Sequence, residues 1–146
     1  MATTLKAELR KELDQARKGR DKIRTVVLSS ALSDLRNWEI EEGREAGDES
    51  VRQVLARAVK QRKESAEQMR SGGRPELAER EDREAEILQS FLPPPLTEAD
   101  VRALVQEAVS EGLEQPGPIM GRIMPQLRGR FDGKEANRIV MEELSS

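Results

Sequence analysis

The chain has 146 residues, and its 25 Lys and Arg against 28 Asp and Glu give a net charge of −3. Without an overall positive charge, any nucleic-acid binding must rely on a local cluster of cations. One Trp, two Phe and no Tyr suit amphipathic helices better than β-sandwiches or barrels. The absence of Cys excludes disulfides, thiolate zinc sites and thiol nucleophiles. With no secretory or transmembrane stretch apparent, we predict an all-α cytoplasmic protein.

Apolar residues recur at helical spacing up to residue 92, which predicts an N-terminal bundle of about four helices over residues 1–92. The first helix takes Thr3 or Thr4 as its N-cap and runs to about Arg17. The second carries an apolar stripe from Ile23 to Trp38, widened by neighbours that include Val26, and fades at the glycines that follow.

The third and fourth helices are predicted to meet at a glycine pair. The third begins after Asp48 or Ser50 as its cap and stops at residues 72–73, both glycine. Pro75 opens the fourth helix, whose apolar stripe includes Leu77 and continues to residue 91. A turn at the glycine pair makes the two helices an antiparallel hairpin.

Charged residues interrupt the apolar stripes of this hairpin. Arg62 lies on the face of the third helix, and Glu81 and Glu84 lie on the face of the fourth. The antiparallel register places Arg62 opposite the turn that holds both glutamates, so we predict an Arg–carboxylate pair between the helices. A structural pair that fixes the register is favoured over a ligand site.

Prolines at positions 93–95 cannot continue a helix, and they predict a semi-rigid linker over residues 93–96 in preference to an SH3-type ligand. Residues 97–146 then predict a small C-terminal domain of three helices. Thr97 starts a capping-box-like sequence, and Asp132 is predicted to cap the last helix with Gly133 in its first turn.

No residue predicts catalysis, because the chain has no His, Cys or Tyr to act as a general base, nucleophile partner or soft metal ligand. The segment 129–135 (GRFDGKE) fails as a phosphate loop because only three residues separate its glycines and Glu follows its Lys. It also fails as a calcium loop, since Arg128 and Arg130 stand where acids are needed. We therefore predict no cofactor and no metal site.

Cations concentrate in residues 122–138, although residues 97–146 as a whole hold 6 cations and 9 anions. Five cations against Asp132 and Glu135 give this stretch a local charge of +3. Such a cluster can hold a phosphate backbone, but only Phe131 could stack on a base. The candidate nucleic-acid-binding residues are Arg122, Arg128, Arg130, Lys134 and Arg138.

Four motifs follow one another along the chain, namely residues 60–65 (KQRKES), 91–98 (FLPPPLTE), 119–124 (IMGRIM, with Gly121 as a structural residue) and 129–134 (GRFDGK). In their order and spacing they resemble the GatB/YqeY family. The resemblance implies a helical bundle joined to a small helical domain similar to the tail of the B subunit of tRNA-dependent amidotransferase. In that enzyme the chemistry belongs to other parts, and the tail helps to hold the tRNA.

Three hypotheses for function follow. The first is a non-catalytic tRNA-binding or tRNA-linked adaptor. The second, which rests on the resemblance, is participation in glutamine-dependent amide transfer on aminoacyl-tRNA, a carbon–nitrogen ligase reaction that we do not expect from the chain alone. The third is a protein-interaction module that docks through its methionine-bearing face. The candidate partners are tRNA and an amidotransferase or another translation-related protein. We do not expect a membrane to be a partner.

Overall fold

The structure, a computed structural model, describes residues 4–146, which form helices and no strands. The all-α prediction is thus confirmed; Thr3, the alternative first cap, lies outside the described residues. By its internal contacts the chain separates into two compact units, one ending at Leu92 and the other beginning at Pro93. No helix in the described part is long and apolar enough to cross a membrane. The helices are α1 (Leu5–Lys18), α2 (Lys22–Glu42), α3 (Asp48–Ser71), α4 (Pro75–Gln89), α5 (Glu98–Ser110), α6 (Pro116–Leu127) and α7 (Gly133–Ser145).

The start of α1 is held by two side chains. Thr4 is its N-cap and accepts a hydrogen bond from the amide of Ala7 at 3.1 Å. The carboxylate of Asp48 accepts from the amide of Leu5 at 3.0 Å. The prediction that Asp48 or Ser50 caps α3 is therefore wrong: Asp48 is the first residue of α3, its side chain serves α1, and Gly47 takes the N-cap position without a side-chain bond.

The core of the first unit is built from the inward faces of α1 to α4. Leu77 and Val26 were predicted to join it but are exposed, at 46% and 50%. In α4 the buried face runs through Ala78, Ala85 and Leu88, and Leu77 lies about 100° away around the helix. The largest fully buried side chains in this core are Leu9, Val27, Leu28, Leu35, Val51, Leu55 and Leu88.

The second unit packs α5, α6 and α7 around a small apolar core. Its first helix has a complete capping box, in which Thr97 and Asp100 each accept the backbone amide of the other. This box fixes the path by which the chain passes from the proline linker into α5. The core residues that are fully or almost fully buried are Val101, Val105, Ala108, Ile119, Ile123, Leu127, Ala136, Ile139 and Val140.

Candidate nucleic-acid interface

The predicted cation cluster surrounds the turn between α6 and α7. Helix α6 ends at the buried Leu127, whose carbonyl accepts hydrogen bonds from the amides of Arg130 at 2.8 Å and Phe131 at 3.0 Å. Gly129, which lies between Leu127 and Arg130 in the sequence, has φ +72°, a left-handed conformation that favours glycine. These bonds close a compact turn, and Arg128 at its start is exposed to solvent.

The proline linker is tied to this turn through Arg130. The backbone carbonyl of Arg130 accepts the amide of Leu96 at 2.8 Å, and its Nε donates to the carbonyl of Pro94 at 3.0 Å. The nearby carboxylate of Asp100 has its pKa lowered mainly by hydrogen bonds from Thr97, with a smaller contribution from the Arg130 charge. Arg130 is half-buried, and the bond to Pro94 orients its guanidinium through the Nε edge.

Arg128 and Lys134 are the two predicted cations that no other group within residues 4–146 engages. Both are exposed, and within residues 4–146 neither side chain makes a hydrogen bond, an ion pair or a ring contact. They lie on either side of the turn, one at the end of α6 and one at the start of α7. An incoming anion would therefore not have to replace a partner from residues 4–146.

Arg138 is engaged by three glutamates. Its guanidinium lies 2.6 Å from Glu142, 2.9 Å from Glu135 and 3.2 Å from Glu98. Hydrogen bonds to these carboxylates, first that to Glu135, raise the pKa of Arg138 above its ordinary value. A phosphate could take this guanidinium only by replacing carboxylates that already satisfy it.

Arg102 of α5 completes the same network and was not singled out from the sequence. It contacts Glu98 at 2.7 Å, Glu142 at 2.5 Å and Glu143 at 3.1 Å. Hydrogen bonds from Arg102, and then from Arg138, lower the pKa values of Glu98 and Glu142. The i,i+4 spacings of Glu98 with Arg102 and of Arg138 with Glu142 are the sequence signal that could have revealed it.

The network has a negative balance. Two arginines face four glutamates across α5 and α7, which makes this side of the second unit acidic. Within residues 4–146, no three or more metal-binding side chains are grouped so as to hold an ion. The ion pairs of Arg102 and Arg138 connect α5 to α7.

Arg122 is also paired. Its guanidinium contacts the carboxylate of Glu111, and the pair joins α6 to the end of α5. Both side chains are about half exposed. The predicted cluster thus divides into two arginines held by acids and three cations near the turn, namely Arg128, Arg130 and Lys134.

In the first unit, Arg62 lies beside one of its two predicted partners. Its Nε is 3.5 Å from the carboxylate of Glu84, and its Nη1 donates to the carbonyl of Ala58 at 3.1 Å. Glu84 is 9% exposed and is the only buried charged residue in the described chain. Glu81 is half-buried and forms no ion pair with Arg62. The Nε of Arg62 makes no hydrogen bond, so the pair is an incompletely satisfied contact between α3 and α4.

The remaining predicted structural residues lie in α6 and at the start of α7. Gly121 is exposed inside α6, and a Cβ there would meet nothing within 4 Å, so no close approach requires glycine. Asp132 takes the N-cap position of α7, but its side chain does not accept the capping bond that we predicted. Its backbone carbonyl accepts the amide of Ala136 at 3.0 Å. Gly133 is the first residue of the helix.

The model of the YqeY-like protein family matches residues 6–144. The curated relatives include the mitochondrial proteins named altered inheritance of mitochondria protein 41. The one from Lachancea thermotolerans is 31% identical over 77% of this chain and 61% of its own length. That from Kluyveromyces lactis is 28% identical over 88% of this chain and 69% of its own length.

A third relative, an uncharacterized protein of Schizosaccharomyces pombe, is 34% identical over 61% of this chain and 72% of its own length. The chain spans about three fifths of the length of the Lachancea protein. The family match, in contrast, covers nearly every residue of both units. The chain therefore belongs to the YqeY family, in agreement with the resemblance inferred from its motifs.

Proposed function

We propose that this protein is a non-catalytic adaptor that binds tRNA through the turn between α6 and α7. The observation that carries the proposal is the exposure of Arg128 and Lys134, which lack side-chain partners within residues 4–146. Arg130 lies between them and is oriented by its bond to Pro94. Three cations within seven residues offer a compact positive site for a phosphate backbone.

Arg122 and Arg138 have a smaller part in the proposed interface. Each would have to exchange a carboxylate partner for a phosphate, so the gain from the new contact is offset by the loss of the old one. The acidic surroundings of Arg138 also repel a polyanion. The proposal therefore rests on three of the five predicted cations.

Recognition in this mode depends on the shape and charge of the RNA and not on its base sequence. Phe131 is the one aromatic residue near the turn, and it is half-buried against the core of the second unit. A packed ring is not available to stack on a splayed base. Contacts to phosphate position an RNA without reading its sequence.

The same proposal assigns separate roles to the two units. We treat residues 1–92 as a four-helix domain, 93–96 as a linker and 97–146 as the RNA-binding domain similar to the amidotransferase tail. Participation in amide transfer rests on the resemblance alone, and we assign it to no residue. The cytoplasmic location stays a prediction, because the relatives' names place those proteins in mitochondria.

A binding assay with two matched variants tests the proposal. Fluorescence anisotropy would measure the affinity of the full chain for labelled tRNA. The variant Arg128→Gln/Lys134→Gln is expected to bind about tenfold more weakly or worse, because each cation contributes a charge-assisted hydrogen bond. The control Arg57→Gln/Lys63→Gln removes the same charge from exposed positions of α3.

The control variant should bind like the unaltered protein. Equal affinities for all three proteins would overturn the proposed site, because binding would then not depend on Arg128 and Lys134. A chain that does not bind tRNA at low salt would overturn the proposed function itself.

A further inference from the structure

A basic groove runs along the first unit between α1 and α2, with a volume of about 360 Å³. Lys6, Arg10, Leu13 and Arg17 form one wall. Their spacing of three or four residues places them on a single face of α1. From Lys6 to Arg17 the wall extends about 16 Å, at about 1.5 Å per residue.

The opposite wall belongs to α2 and contributes hydroxyl groups and a further cation. Ser29, Ser33 and Arg36 line it together with Leu32. The two helices form an antiparallel hairpin, and the ion pair of Lys6 with Glu39 fixes one level of their register. Moving about one turn along each helix from this pair brings Arg10 opposite Arg36.

The one carboxylate among the lining residues is already used by the protein. Glu39 accepts from Nζ of Lys6 at 2.7 Å and from the amide of Ala46 at 2.8 Å. These two bonds, in that order, hold the pKa of Glu39 below its ordinary value, with a smaller contribution from the Arg10 charge. Lys6 and Glu39 neutralise each other at this end of the groove.

The arginines further along the groove are not neutralised. Arg10 and Arg36 are exposed, and within the described chain they make no hydrogen bond or ion pair. Arg17 has only a 3.9 Å contact with Asp14, in which both side chains are more than half exposed. Facing like charges repel each other, and an anion bound between them would remove that repulsion.

We propose that this groove is a binding site for a phosphate-bearing anion, with Arg10 and Arg36 holding the phosphate oxygens from opposite walls. Guanidinium groups suit this task because their planar donors match phosphate oxygens two at a time. The hydroxyls of Ser29 and Ser33 add donors, and the leucines provide an apolar floor. The groove has the size of a small-molecule site. The ligand is a phosphorylated metabolite or a short stretch of phosphodiester backbone.

This site is independent of the tRNA contact proposed for the second unit, since the two share no residue. Titration of pyrophosphate into the full chain would test the proposed groove directly. Isothermal titration calorimetry would measure the affinity, and NMR amide chemical shifts would locate the site. Shifts should be confined to α1 and α2. The variant Arg10→Gln/Arg36→Gln should weaken binding about tenfold or more.

Two further variants make the test specific. The control Arg57→Gln/Arg83→Gln removes two exposed arginines from α3 and α4 and should leave the affinity unchanged. Ser33→Glu adds a carboxylate to the groove and should weaken binding even if the double arginine variant folds poorly. Circular dichroism would establish that each variant keeps its helical content.

A second arm identifies the source of the phosphate. Binding of pyrophosphate but not of a ten-residue oligouridylate supports a small phosphorylated ligand. Preferential binding of the oligonucleotide supports a nucleic-acid backbone if Arg10→Gln/Arg36→Gln weakens it and Arg128→Gln/Lys134→Gln does not. Failure of both probes to bind would overturn the proposal. It would also be overturned if the control variant lost as much affinity as Arg10→Gln/Arg36→Gln, because the attraction would then be unspecific.

Discussion

Replacing Arg62 with Met tests how much the contact between α3 and α4 contributes to stability. The side chains of Arg62 and Glu84 are 14% and 11% exposed, so the substitution leaves a carboxylate in a poorly hydrated site. The remaining cation beside the Glu84 carboxylate is Arg80, whose Nε is 4.0 Å from it and whose side chain is 57% exposed. Removing one partner of a buried ion pair costs about 3–5 kcal/mol. The 3.5 Å separation and the unsatisfied Nε place our expectation near the lower end, at about 3 kcal/mol.

Urea unfolding followed by circular dichroism would measure this loss. A control is available in the same hairpin, where Arg70 and Asp82 form an exposed pair between the same two helices. Arg70→Met should cost at most about 1 kcal/mol. The double variant Arg62→Met/Glu84→Leu should recover most of the stability, because no charge is then left buried. If Arg62→Met cost no more than Arg70→Met, the reasoning would be refuted.

Three further predictions concern helix ends, helix interiors and pH. Gly121→Ala should raise the free energy of unfolding by about 0.5–1 kcal/mol, because the site is exposed and helical; a loss in urea denaturation would show a hidden need for glycine. Asp48→Ala should cost about 0.5–2 kcal/mol by removing the acceptor at the start of α1, and an unchanged urea midpoint would contradict this. Arg102 lowers the pKa values of Glu98 and Glu142. The stability that these two carboxylates give the folded protein is therefore present above their ordinary pKa of 4.5, and it is lost as the pH falls through the lowered pKa values. Arg102→Gln should therefore reduce the acid sensitivity of unfolding, and an unaltered pH profile would contradict the network's role.

Local signals were sufficient to predict the helices. Thr4, Gly43 and Pro75 all lie at the ends that capping and turn preferences indicate, with Gly43 at φ +67°. These preferences depend only on residues close in sequence. Asp48 shows where such reasoning stops, since its carboxylate serves Leu5, 43 residues away, in preference to its own helix.

The sequence predicts the proposed RNA contact only as a set of five cations, and it does not show which of them have partners in the fold. A count of charges treats Arg128 and Arg138 alike, yet the first lacks a side-chain partner in the described residues and the second is held in part by Glu98, 40 positions away. The groove of the first unit could not be predicted from the sequence for the same reason. Arg10 and Arg36 are brought together only by the hairpin.

The salt dependence of tRNA binding tests the proposed function most directly. With three phosphate contacts, the logarithm of the affinity should fall with the logarithm of salt concentration at a slope of about −2 to −3. In Arg128→Gln/Lys134→Gln the slope should shrink by about 2, to near −1. An affinity that does not change with salt, or a slope that is the same in this variant, would contradict the assignment of the turn between α6 and α7 as the RNA contact.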